Sequence, residues 1–233
     1  MTSKVYLVPS VLDDTALHTI PTYVITAVKD CQVIFAENER TTRRFLKSIW
    51  RDIVIDDYEW YTIHKAENEQ KNQFRQKMEE KKNIAIISEA GCPGIADPGQ
   101  VLIALAQQSG AKIIPLVGPS SILLALMASG MNGQQFEFVG YLPIELNERV
   151  RAIKELEINS LKKNSTEIFI ETPYRNNQLL ATLLTTCKPT TRLCVAAEIT
   201  GENEYIKTKT VADWRNEKTD FHKKPVIFLL YAG

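Results

Sequence analysis

The sequence predicts an α/β protein of two domains, with a mainly parallel sheet in the N-terminal part and a mixed sheet in the C-terminal part. Three observations lead there. Short runs rich in Val and Ile recur along the chain, segments of helical period separate the early runs, and the last three runs follow one another without a helix of useful length between them. Parallel strands need a crossover, whereas strands joined by short connections pair antiparallel.

The elements follow in order. "KVYLV" (4–8) and "QVIFA" (32–36) read as buried strands, and a helix is expected over 40–50. The segment 67–82, "ENEQKNQFRQKMEEKK", is nearly all polar, with Phe74 and Met78 as its apolar pair, and reads as a solvated surface helix. "IAIIS" (84–88) is the next strand, followed by a helix over 99–108 and the strand "KIIPLV" (112–117). Pro119 with Ser120 and Ser121 looks like a helix start, with proline near the first turn and hydroxyls for orphan amides. Beyond it come "EIFIE" (167–171), a helix near 175–186, and strands at 192–198, 204–211 and 225–232. The change in connection style places a domain boundary between 1–117 and 118–233.

Composition narrows the function classes. Lys plus Arg equals Asp plus Glu at 28 each, so no global field steers the protein to nucleic acid or membrane, and any anion-binding surface must be local. The four cysteines show no C-x-x-C spacing and the three histidines are scattered, so no metal site is expected. The N-terminus lacks a signal-peptide run and no segment approaches transmembrane length, which together with the cysteine usage suggests a reduced, cytoplasmic setting.

Glycine marks the candidate site. Eight of the ten glycines lie between Gly91 and Gly140, and "SEAGCPGIADPG" (88–99) holds three glycines and two prolines directly after a strand. Open α/β sheets bind ligands at the carboxyl ends of their strands, and glycine there lets a ligand touch the backbone. Tight strand-to-helix turns would produce the same pattern. Neither G-x-x-x-x-G-K-[ST] nor an N-terminal G-x-G-x-x-G is present, since the first strand is followed by "PSVLDD". The residues alone indicate a small polar or aromatic cofactor in a glycine-rich cleft. Cys92 in that loop is an alternative nucleophile, but no histidine is near it in sequence, and only folding could bring His64 or His18 close.

"ISEAGCPGIADPGQVL" followed by "IIPLVGPSSILLALMASG" closely resembles the tetrapyrrole methylase-like superfamily of S-adenosylmethionine (SAM) methyltransferases, the class III methyltransferase fold. The resemblance is nearest to the branch that methylates a ribose 2'-hydroxyl in bacterial small-subunit ribosomal RNA. "AENERTTRRFL" (36–46), "FEFVGYLP" (136–143), "IFIETPYR" (168–175) and "AAEIT" (196–200) extend it over most of the chain. It implies a homodimer with SAM in a cleft between the two domains. Gly91, Cys92, Pro93, Gly94, Ile95 and Asp97, the turn at Ser120 and Ser121, and the strand end Ile170, Glu171 and Thr172 would line that cleft. Ala197 would join them, and Pro225 and Val226 would close the site.

Methyl transfer from a sulfonium is an in-line displacement, and a ribose hydroxyl acceptor gains from a nearby base. Glu37, Glu89, Asp97 and Glu198 are candidates, with Glu37 and Glu198 preferred because they follow strands. Tyr174 and Arg175 open a helix at a strand end and could position the acceptor. Arg40, Arg43, Arg44, Lys47 and Arg51 recur at helical spacing, giving either a solvated face or a contact with RNA phosphates or with the carboxylates of a small anion. Of these Arg40, Arg43 and Arg44, with Tyr174, are the substrate-binding candidates. A small-molecule acceptor such as a tetrapyrrole, and a SAM-binding protein whose altered first loop has ended catalysis, remain alternatives to ribosomal RNA at this point.

Overall fold

A computed structural model describes residues 2–63 and 67–233. The chain divides into two compact units, with the junction between Ser120 and Ser121.

The first unit is built on five parallel strands: β1 (Lys4–Val8), β2 (Val33–Ala36), β3 (Glu59–Thr62), β4 (Ile84–Ile87) and β5 (Lys112–Pro115), in the order β3-β2-β4-β1-β5. Every residue of β2 and β4 is buried, because helices cover both faces. The period of two sends Ile34, Ala36, Ala85 and Ile87 into one core cluster and Val33, Phe35, Ile84 and Ile86 into another. Phe35 stacks on Tyr61 at 4.8 Å and meets the edge of Phe74 at 5.1 Å.

Among the described residues four α-helices complete this unit: α1 (Tyr23–Lys29), α2 (Glu39–Ile49), α3 (Lys71–Glu79) and α4 (Gln100–Gln108). The helix expected over 67–82 is shorter, since 67–70 form a turn and Lys81 takes a positive φ of 58° after the last turn. α1 and β3 were not expected. "EWYT" carries a charge at its start and lies on a sheet edge, where the unbroken apolar run of a central strand is not required.

The second unit is a mixed sheet in the order β6-β7-β10-β8-β9. Its strands are β6 (Phe136–Tyr141), β7 (Thr166–Ile170), β8 (Arg192–Ala197), β9 (Tyr205–Thr210) and β10 (Val226–Tyr231). Only β6 and β7 are parallel; β7–β10, β10–β8 and β8–β9 are antiparallel, and of these β8 and β9 are joined directly by a short connection. Helices α5 (Ser121–Ser129), α6 (Leu146–Lys163), α7 (Asn176–Thr186) and α8 (Val211–Trp214) flank it. α6 crosses from β6 to β7, the one parallel pair, and buries Ile153 and Leu156 in the core with Phe169 and Phe228.

Candidate active site

In the first unit, three loops at the carboxyl ends of strands are pinned together. The loop after β1 reaches the loop after β4 through paired backbone bonds between Ser10 and Gly91, 2.9 and 3.2 Å. The Ser10 hydroxyl also donates to the Ser88 carbonyl at 2.8 Å. The loop after β5 joins them, with Cys92 Sγ 3.6 Å from the Pro119 carbonyl oxygen, and Gly118 lies so close to Pro9 that a Cβ would sit 2.2 Å from the proline Cβ.

The glycine-rich loop is shaped by its own geometry. Gly94 and Gly99 have φ of +78° and +124°, and the Gly94 N–H closes the loop onto the Pro98 carbonyl at 3.2 Å. Side chains there would be strained whatever the space around them. Pro93, just before Gly94, is buried and Ile95, just after it, is exposed. The N-terminus of α4 follows, but it is not an open anion site. Glu67 Oε1 already accepts from the backbone N–H groups of Gly99, Val101 and Leu102 at 3.0, 2.8 and 3.2 Å. Glu67 was not singled out in the sequence, because a capping residue more than thirty positions upstream leaves no local signature.

Beside this loop three carboxylates gather. Glu37, buried at the end of β2, accepts the Glu89 N–H at 2.8 Å, and the Glu89 carboxylate accepts from the Thr41 hydroxyl at 3.0 Å. Burial, reinforced by the charges of Glu37 and Glu89, pushes the Asp97 carboxyl up to about 7. A cavity of about 380 Å³ opens among Glu37, Asn38, Glu39, Arg40, Thr62 and Glu89. Cys92 moves the other way for a nucleophile, since burial raises its thiol pKa and Asp97 adds to the effect. His64 lies outside the described residues.

The basic helix is only partly a basic face. Asn38 caps α2 through its side-chain oxygen, 3.1 Å from the Arg40 N–H. Arg40 is exposed, and Arg44 makes a loose exposed pair with Asp14 at 3.3 Å. Arg43 instead pairs with Glu39 at 2.5 Å and lies over the Trp60 ring at 4.9 Å. Lys47 donates to the Ile53 carbonyl, and Arg51 falls beyond the last helical residue. Helical spacing located these cations but did not show which had partners.

In the second unit the functional candidates share one end of the sheet. Register places Tyr141 opposite Ile170, Ile170 opposite Ile227, and Val226 opposite Ala197. Glu171, just past Ile170, has a fully buried carboxylate whose Oε1 accepts from the Thr172 N–H at 2.6 Å and from Arg175 Nε and Nη2 at 3.0 and 2.7 Å. Tyr174 is exposed, with its ring edge-on to His222 at 5.8 Å. Glu198 has a φ of +51°, donates its N–H to the Pro225 carbonyl at 3.0 Å, and gives its carboxylate to Lys224 at 2.5 Å. Asn176, missed in the sequence, is fully buried and ties the start of α7 to the Phe221 and Lys224 carbonyls at 3.2 and 2.8 Å. Ser120 ends the first unit and Ser121 begins α5 in the second.

The family model for Tetrapyrrole (Corrin/Porphyrin) Methylases matches residues 4–214. The chain belongs to this family. Among its relatives is the Ribosomal RNA small subunit methyltransferase I of Buchnera aphidicola subsp. Schizaphis graminum (strain Sg), 30% identical over all of this chain and 79% of that protein. The protein of the same name from Vibrio cholerae serotype O1 is 34% identical over 74% of this chain and 60% of its own length. That from Escherichia coli O157:H7 is 26% identical over 97% and 77%. The crystal structure of the methyltransferase CobJ shares the fold, with a TM-score of 0.64 over 99% of this chain and 94% of that one at 15% identity. This methylase is accordingly a SAM-dependent methyltransferase, with the α/β architecture of the family. Among the described residues no cluster of His, Cys, Asp and Glu could hold a metal ion, and no helix is long and apolar enough to cross a membrane.

Proposed function

We propose that this methylase 2'-O-methylates a ribose in small-subunit ribosomal RNA. The observation that carries the reading is the match to a relative named for that RNA over the whole of this chain. Residues of both units, 1–120 and 121–233, contribute to SAM binding. The backbone from Gly91 to Asp97, including Cys92, Pro93, Gly94 and Ile95, supplies contacts from the first unit, with Ser120. Ser121, Ile170, Glu171, Thr172, Ala197, Pro225 and Val226 supply them from the second. The pinned loops suit this role, since a wall fixed in advance loses little entropy when a ligand binds.

Bound SAM supplies an electrophilic methyl group on a sulfonium. The chain's own task is to align the acceptor oxygen and receive its proton. Asp97 fits the second need better than Glu198, whose carboxylate is committed to Lys224, and Glu37 stands beside it with its carboxylate already accepting the Glu89 N–H. Arg40 and Arg44 on one unit, and Tyr174 and Arg175 on the other, hold the RNA. The protein works in the cytoplasm as a homodimer.

The test is transfer of labelled methyl from SAM to small ribosomal subunits from cells lacking the gene, followed by nucleoside mass spectrometry. The expected product is a 2'-O-methylated nucleoside. Label on a base, or none on RNA while a small anionic acceptor is methylated, overturns the reading.

A further inference from the structure

We propose that Tyr141, Tyr174 and Arg175 form a stacking platform for unpaired nucleotides of the RNA acceptor, with Glu171 as the residue that positions Arg175. The inference rests on the RNA reading above and assigns the chemistry of one part of that surface.

Both tyrosines are largely exposed, Tyr141 at 60% and Tyr174 at 69%, and neither hydroxyl has a hydrogen-bond partner among the described residues. Two largely exposed aromatic rings at one sheet end are a loss for the folded protein alone, because their apolar faces stay wet. Tyr141 is paired in register with Ile170, one residue from Glu171, and its phenol is near enough to Arg175 to interact electrostatically. Tyr174 precedes Arg175 directly and is steadied by His222.

Arg175 is held in a fixed orientation. Nε and Nη2 both donate to one buried oxygen of Glu171, which fixes the plane of the guanidinium, while Nη1 makes no hydrogen bond among the described residues. The second Glu171 oxygen, Oε2, is buried without a partner. Charge is presented asymmetrically as well. In both ion pairs of this end the cation is the more exposed member, Arg175 at 29% against Glu171 at 0%, and Lys224 at 39% against Glu198 at 22%. Solvent therefore meets aromatic faces together with Arg175 and Lys224, with Glu171 beneath Arg175 and one exposed carboxylate, Asp220, beside His222. Aromatic rings interleaved with cations are what unpaired nucleotides use, the bases stacking and the phosphates taking the charge.

The experiment measures binding of a single-stranded oligoribonucleotide and the KM for small ribosomal subunits in Tyr141→Ala, Tyr174→Ala, Tyr141→Phe, Tyr174→Phe and Arg175→Lys. Each alanine variant is expected to weaken RNA affinity and raise KM by about 5- to 150-fold, the range for loss of one stacked base. The phenylalanine variants retain the ring and should stay within about twofold of the wild type, while SAM affinity is unchanged in all four tyrosine variants. Arg175→Lys keeps the charge but loses the fork held by Glu171, and should fall between the two groups. Wild-type affinity and KM in both alanine variants would overturn the platform while leaving the acceptor reading intact. A change of oligomeric mass with unchanged RNA affinity would make this surface a protein interface and also overturn the platform. A wild-type protein that neither binds RNA nor methylates the subunit overturns the acceptor reading and the platform together.

Discussion

The loop after β4 and the loop after β7 both follow a strand at its carboxyl end, yet they are made in opposite ways. The first is shaped by backbone: three positive-φ glycines, a carbonyl-closed turn and a bridge to Ser10. Its carboxylates face one another, and Asp97 has no ion pair among the described residues. The second is shaped by side chains: a buried Glu171 clamps Arg175, and Asn176 anchors the neighbouring loop. A backbone-built loop fails when atoms are added, and a side-chain-built loop fails when atoms are removed. That difference orders the experiments.

The largest effect should come from Gly94→Val. A β-branched residue at φ +78° is strained by about 1–2 kcal/mol, and its Cβ would sit 2.9 Å from Ile103 Cδ1. Wild-type protein should gain about 2.7 kcal/mol of stability at a hundredfold excess of SAM over its Kd, and the variant none. Denaturant titrations with and without SAM make the comparison; an equal gain in both proteins would mean that the glycine serves only the turn.

Arg175→Ala should come next. Removing the cation leaves the Glu171 carboxylate buried without its ion-pair partner, at an expected cost of about 2–3 kcal/mol, reduced because Arg175 is itself part-exposed. Urea unfolding at neutral pH reads it. A change below half a kilocalorie would show that solvent reaches Glu171 readily and that the clamp is weak.

Asp97→Asn should act in the opposite direction. The native Asp97 keeps its proton up to about pH 7 whereas the unfolded residue releases it near 4, so this group's contribution to stability falls as pH rises between those values. The asparagine variant should therefore be more stable than wild type at pH 8 by about 1–2 kcal/mol after allowance for solvent screening, with the gain vanishing toward pH 4. Thermal melts across that range provide the measurement. If Asp97 also receives the acceptor proton, the same variant loses methyl transfer, and stability and activity part company.

The smallest effect is reserved for the surface. Replacing Arg40 and Arg44 together by Ala should leave stability and SAM affinity unchanged and flatten the log–log salt dependence of RNA binding by about one unit. Arg43 is a poor probe, since its truncation would also remove packing on Trp60.

The sequence by itself determined the class of fold, the alternation of buried strands, the antiparallel character of the last strands, and the location of the glycine-rich loop, because periodicity and turn chemistry are local properties. It missed α1, β3, β6 and α6 as elements. β6 has mostly exposed or half-buried residues on a sheet edge, and α6 is rich in charge, so neither carries the apolar run that marks a central strand or a core helix. Only the tertiary structure decided which charges have partners. Glu67 reaches α4 across thirty-two or more residues, Glu198 is taken by Lys224, Arg43 is drawn onto Trp60, and Asp97 is brought beside Glu37 and Glu89. The physical reason is that the charge state of a side chain depends on burial and on neighbours within a few ångströms, and those neighbours come from strands and loops distant in the chain.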